Sequence, residues 1–129
     1  MQTLFIKATE TTPQVSFNGQ TGEFFIGGKS ITEEADSFFQ PVIDWIATNR
    51  FYTPIVLTID LEFFNISSSK RILYMLYKFN DMVEQQQTPV TVKWLYQKGD
   101  EDMMEVGQDY AYMVNIPFEL SEIERQLAC

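Results

Sequence analysis

Residues 60–71, DLEFFNISSSKR, hold most of the side chains in this sequence that could do chemistry: two carboxylates two apart, an Asn, three consecutive serines and two cations. Ser67, Ser68 and Ser69 could cap a helix, supply a nucleophile, cradle an anion or accept a modification. Asp60 and Glu62 could work as acid and base or hold Mg²⁺. Two apart on a strand, they share one face near its carboxyl end, where open α/β sheets place their sites. Without a His, further carboxylates or a phosphate loop beside them, solvent-facing charge is the preferred reading of the pair.

The chain has no histidine, which removes the usual general base, the Ser-His-Asp and Cys-His pairings and most zinc sites. A catalytic serine therefore lacks a base to activate it. The one cysteine is the last residue, Cys129, so neither an internal disulfide nor a thiolate cluster is expected, and no metal or cofactor. A terminal cysteine is also not a prenylation box, which places its Cys four from the end.

Two other stretches imitate known sites. GEFFIGGKS at 22–30 ends like a phosphate loop, but the pattern requires Gly at position 23, where this chain has Glu23. Its EFFI core reads as a hairpin strand ending in a turn. GDEDMMEVGQD at 99–109 packs five acids, yet counted from Asp100 the sixth position is Glu105 and the twelfth Ala111, not the Gly and Glu of a calcium loop.

The serines sit between two strong patterns. TPIVLTIDLEFF at 53–64 is a nearly continuous β-branched and aromatic run, as in a buried central strand. After it, Ile72, Leu73, Leu76, Phe79 and Val83 fall on one helical face. Ser67 or Ser68 is the expected N-cap of that helix. Lys70 and Arg71 then stand at the wrong end for the helix dipole, which makes physical sense if an anion is sometimes present; the alternative is that they are ordinary solvated charges. A phosphoryl group on a neighbouring hydroxyl would meet free amides and two cations together.

Upstream, TLFIKA at 3–8, QVSFNG at 14–19 and GEFFIGG at 22–28 alternate like strands, with NGQTG as a hairpin turn. Residues 30–50 are helical in period, with Thr32 as expected N-cap and Pro41 expected to kink the helix or mark its real start. Downstream come a strand at 88–97, an acidic loop leading to a short helix, and a closing strand and turn in NIPFELSEIERQL. Strands alternating with helices predict a mixed β-sheet with a parallel portion, within one α/β domain over 1–129.

A net charge of −9 argues against a nucleic-acid partner; it either favours proteins with a basic face or simply aids solubility. No stretch is long and apolar enough for a membrane span, and MQTLFIKATETT lacks a signal-peptide core, so a cytoplasmic protein is expected.

LEFFNISSSKRILYML, between that strand and that helix, resembles the central signature of the SiaC family of bacterial regulatory phosphoproteins: an aromatic pair, Asn-Thr-Ser-Ser, a small residue and Lys. FFQPVIDWI and VTVKWLYQKGDEDMMEVGQDY resemble its flanking segments, so the similarity covers nearly the whole chain in order. The resemblance implies a fold like that of the anti-sigma-factor antagonists, the STAS-like domains. It also implies a non-enzymatic switch: a Ser/Thr protein kinase adds phosphate, a PP2C-type phosphatase removes it, and the free form engages a diguanylate cyclase. Asn65, Ser67, Ser68 and Lys70 match the signature, but Ile66 stands where the family carries its phosphorylated Thr. Either the acceptor has moved to Ser67 (the preferred reading, with Ser68 second), or the chain is locked in one state, or only binding is retained.

Overall fold

Hydrophobic alternation along the strands and helical spacing between them fold into one sheet under one layer of helices. The computed structural model describes residues 3–125. The elements run β1 (Thr3–Ile6), β2 (Gln14–Asn18), β3 (Glu23–Ser30), α1 (Ala35–Thr48), β4 (Ile55–Phe64), α2 (Ile66–Gln86), β5 (Val90–Gln97), α3 (Glu101–Met113) and β6 (Phe118–Ile123). The strands lie in sequence order, β1 to β3 antiparallel and β3 to β6 parallel. Each helix is thus a crossover advancing in the same direction, and right-handed crossovers put all three on one face.

That arrangement explains the burial along β4. Ile55, Leu57, Ile59 and Leu61 are buried in the core, whereas Val56, Thr58 and Asp60 alternate with them and are only partly covered. The strand is central in position, but one of its faces carries no helix. Its unbroken apolar sequence therefore overstates its burial. The core forms where Phe17, Phe24, Ile26, Leu57, Ile59 and Trp94 of the sheet meet Phe39 and Ile46 of α1 and Ile72 and Phe79 of α2. Phe17 and Phe24 stack at 4.7 Å between centroids, and Phe79 meets both edge-on.

The NGQTG turn forms between β2 and β3. Asn18 Oδ1 accepts from the amides of Gln20 and Thr21, and Asn18 O accepts from the Gly22 amide. Gly22 has φ +80°, and a Cβ there would fall 2.0 Å from the Pro54 carbonyl oxygen, so both backbone angle and space require glycine.

Four local expectations are corrected. The GGKS segment does not turn: β3 continues through Ser30 because it pairs in parallel with β4 as far as Ser30↔Phe64. Thr32 is not the cap of α1; its Oγ1 accepts from the Glu34 amide two residues on, and the helix starts at Ala35 behind Glu34 without a side-chain cap. Pro41 does not mark the start of α1, which runs through it from Ala35 with Phe39, Val42 and Ile43 buried on both sides of it. Pro41 and Ser37 are both exposed, so water can serve the carbonyl that Pro41 leaves without a donor. The acidic stretch is the first turn of α3 rather than a loop: Asp100 Oδ1 accepts from the Met103 amide at 3.0 Å, with Glu101 and Asp102 at the favourable end of the dipole. The closing strand forms as β6, while Cys129 and the end of the expected closing turn lie outside the described residues.

Candidate functional site

One residue, Asn65, separates β4 from α2, and all its polar groups are engaged. Its amide donates to Ser30 O at 3.0 Å, and its Nδ2 donates to Thr32 O at 3.0 Å. Its Oδ1 accepts from the Ser68 amide at 2.9 Å, and its carbonyl accepts from the Ser69 amide at 2.9 Å. Extended at φ −89°, ψ 177°, Asn65 is the N-cap of α2. The expectation of a cap at Ser67 or Ser68 is therefore corrected. Asn is as good a cap as Ser, and only the Asn side chain reaches both the helix amides and the loop before α1.

Freed from capping, the three serines take separate roles because successive helical residues turn by about 100°. Ser68 is fully buried, and its Oγ accepts from Ser30 Oγ at 2.7 Å, tying the end of β3 to the first turn of α2. Ser69 Oγ donates to Ile66 O at 2.7 Å. Ser67 is exposed, and its hydroxyl makes no hydrogen bond among the described residues. Ile66 is 78% exposed, and Phe63 (61%) and Ile31 (42%) follow it as large apolar side chains facing solvent at this end of the sheet.

The cations also separate. Arg71 Nε donates to Asp36 Oδ1 of α1 at 2.6 Å, and its guanidinium carbon stands 5.3 Å from the Tyr74 ring centroid. The anion that a cation in the first turns of α2 called for is thus supplied by α1. Asp36 is 74% exposed, so the pair contributes within about 0–1 kcal/mol. Lys70 is exposed and has no ion pair among the described residues. Asp36, Ile66, Ser67, Lys70, Arg71 and Tyr74 together line a concavity of about 340 Å³.

Helix α3 braces this turn from behind. Tyr110 Oη donates to the Ser69 carbonyl at 2.8 Å, and burial pushes the Tyr110 pKa up. Trp94 Nε1 donates to Met103 O at 2.9 Å, and Gly107 lets α3 close on the Trp94 ring, where a Cβ would come within 2.5 Å.

Asp60 and Glu62 do not join the serines. Between buried Ile59 and Leu61, Asp60 is turned to the sheet face that carries no helix, and there it is paired with Arg125 Nη2. The Arg125 amide also donates to Gln97 Oε1 at 2.9 Å. Glu62 is exposed at a register irregularity: Gly28 pairs with Leu61 and Lys29 with Phe63, leaving Glu62 as the extra residue. Asp60 and the first turn of α2 thus lie on opposite sides of the sheet. Among the described residues, no three His, Cys, Asp or Glu side chains are grouped to hold a metal. No described helix is long and apolar enough to cross a membrane.

Sequence marked Asn65 as a signature residue but not as the cap, and it did not single out Ser30, Asp36 or Tyr110. The Asn in Asn-Ile-Ser-Ser-Ser is a readable cap signal, in competition with the serines after it. The other three reach the site from 38, 35 and 41 residues away, and no local pattern marks such pairings.

Known proteins share this architecture. A chain of apo-SiaC from Pseudomonas aeruginosa superposes with a TM-score of 0.81 at 26% identity, over 94% of this chain and 99% of that one. A chain in the crystal structure of diguanylate cyclase SiaD in complex with its activator SiaC, from the same organism, gives 0.82 at 27% identity, over 93% and 99%. An uncharacterized protein of P. aeruginosa strain UCBPP-PA14 is 29% identical over 125 residues, which is 92% of this chain and 94% of that protein. Residues 6–123 match the family described as SiaC family regulatory phosphoprotein, and with the superposition on SiaC covering 94% of the chain, this chain belongs to the SiaC family.

Proposed function

We propose that this protein is a non-enzymatic, cytoplasmic signalling adaptor that binds and activates a diguanylate cyclase when unphosphorylated, and that phosphorylation of Ser67 ends the engagement. A Ser/Thr protein kinase adds the phosphate and a PP2C-type phosphatase removes it, in a STAS-like partner-switching circuit. Its partners are proteins rather than nucleic acid or membrane, in keeping with the net charge of −9.

The observation that carries this reading is the division of labour among the serines. A kinase needs an exposed hydroxyl, and Ser67 offers one that bonds to nothing among the described residues. Ser68, the second candidate, is fully buried and bonded to Ser30, so its modification would require the first turn of α2 to open. Family membership and the cyclase complex of the P. aeruginosa relative support the circuit. A phosphate on Ser67 would bring up to about two negative charges beside exposed Ile66. An apolar contact made there by a partner would then suffer desolvation and repulsion.

The test is intact mass and peptide mapping after incubation with the kinase and ATP, with and without phosphatase, alongside cyclase activation by wild type, Ser67→Ala and Ser67→Glu. One phosphoryl group on Ser67, activation by wild type and Ser67→Ala, and silence from Ser67→Glu are expected. Activation by Ser67→Glu equal to wild type, or a phosphate mapped elsewhere, would remove Ser67 from the role.

A further inference from the structure

We infer that Arg71 is the reader of the phosphate on Ser67: it exchanges Asp36 for the phosphoryl oxygens, and the side-chain tie between α1 and the first turns of α2 opens. This rests on the reading of Ser67 as acceptor and adds what the phosphate does inside the protein.

Ser67 and Arg71 are four apart on α2, so their side chains neighbour each other on the helix surface, with Lys70 at the three-residue spacing. Both line the same concavity, and Asp36 closes its other side. Arg71 is held to Asp36 through Nε alone, and its guanidinium rests near Tyr74, so the remaining N–H groups point to no partner among the described residues. Three-quarters of the Asp36 side chain is in water, which makes its single charge a weak competitor. A phosphate carries nearly twice that charge and can accept a bidentate pair from the guanidinium fork.

The transfer moves the γ-phosphoryl of a nucleoside triphosphate to Ser67 Oγ. The bond to the diphosphate breaks, the new P–O bond forms, and the hydroxyl proton leaves to the kinase's base. Around Ser67 the charged groups are Lys70 and Arg71 on α2 and Asp36 on α1. Glu33 and Glu34 precede α1, while Lys29 and Glu62 lie near the ends of β3 and β4. Of these, Arg71 is the cation already fixed against a carboxylate, so a phosphate that captures it leaves Asp36 facing like charge. A phosphorylated first turn then presents Arg71 turned onto the phosphate and Asp36 unpaired, where the free form presents the two side chains joined. Partner discrimination can rest on that difference.

The test places phosphoserine at position 67 of the full chain during translation and follows its ³¹P resonance against pH. The second phosphate pKa is expected to lie about half a unit or more below its ordinary value near 6. Arg71→Gln returns it toward 6, Arg71→Lys recovers part of the shift, and Asp36→Asn lowers it further by removing the competitor. A second pKa unmoved by Arg71→Gln, in a variant whose thermal melt shows it folded, overturns the inference. Because the phosphate is placed without a kinase, this outcome is separate from failure of the functional reading. That failure would show as a wild-type chain that neither takes up phosphate at Ser67 nor activates a cyclase.

Discussion

Replacing Asn65 by Ala removes two side-chain hydrogen bonds at the junction that presents Ser67. The lost cap to the Ser68 amide (2.9 Å) costs about 1 kcal/mol. The lost bond to Thr32 O (3.0 Å) leaves a half-buried loop carbonyl without its donor, at about 1 kcal/mol more. With an unfolding entropy of roughly 2.1 cal/mol/K per residue, the 129-residue chain has about 270 cal/mol/K at its midpoint. A loss of about 2 kcal/mol therefore lowers Tm by roughly 7 °C. Calorimetry and urea titration of wild type, Asn65→Ala and Asn65→Asp measure it. Asp keeps the acceptor and suits the helix dipole but cannot donate to Thr32, so it should fall between the two. If Asn65→Ala lies within about 0.5 kcal/mol of wild type, Asn65 is not the cap that organises the junction and the assignment of roles to the three serines fails with it.

Other expectations follow from the packing around that junction. Ser68→Ala strands the buried Ser30 hydroxyl and should cost about 1–3 kcal/mol; the Ser30→Ala, Ser68→Ala double variant should cost clearly less than the sum of the singles, and strict additivity in urea unfolding would rule out the pair as a coupled unit. Gly107→Ala gains about 1 kcal/mol of helix propensity but drives a methyl into the fully buried, hydrogen-bonded Trp94 ring. A net loss of about 1–3 kcal/mol is expected, and a higher Tm would contradict the close approach of α3. Burial raises the Tyr110 pKa, so the folded state holds its phenolic proton where the unfolded chain has released it. Its contribution is complete below the ordinary tyrosine pKa of about 10 and falls as pH rises above it. Stability measured from pH 8 to 11 should decline more steeply for wild type than for Tyr110→Phe, and parallel profiles would place the hydroxyl in water.

The elements were legible in the sequence where local patterns decide them. The NGQTG hairpin, the helix after the serines and the parallel strands at 53–64 and 88–97 all form, because alternation and helical spacing already specify what each must bury. The errors fell where partners are distant. GGKS reads as a turn by composition, yet pairing with the end of β4 keeps it extended. The run at 53–64 reads as a buried central strand, yet three crossovers in one direction leave its Val56, Thr58 and Asp60 face without a helix. At the site, the stretch 65–71 was legible as a unit, and Ser67 is the one of its three serines whose hydroxyl is exposed and unbonded among the described residues. Its supports were not, since Ser30, Asp36 and Tyr110 each arrive from another element and a one-dimensional pattern carries no trace of such contacts.

The exchange of hydroxyl for isoleucine at position 66 has a geometric answer on α2. Positions 66 and 67 are the first two of the helix and both face solvent, whereas position 68 points into the core. On the proposed reading, an acceptor at 67 in place of 66 stays within a kinase's reach, whereas one at buried position 68 would require the first turn to open. The move changes its helical neighbour. From 66, the residue four positions on is Lys70, a point charge on a flexible stem; from 67 it is Arg71, a planar fork already positioned by Asp36 and Tyr74. On the proposed reading, a shift of one residue exchanges Lys70 for Arg71 as the cation four positions on and leaves Ile66 as exposed apolar surface beside the phosphate.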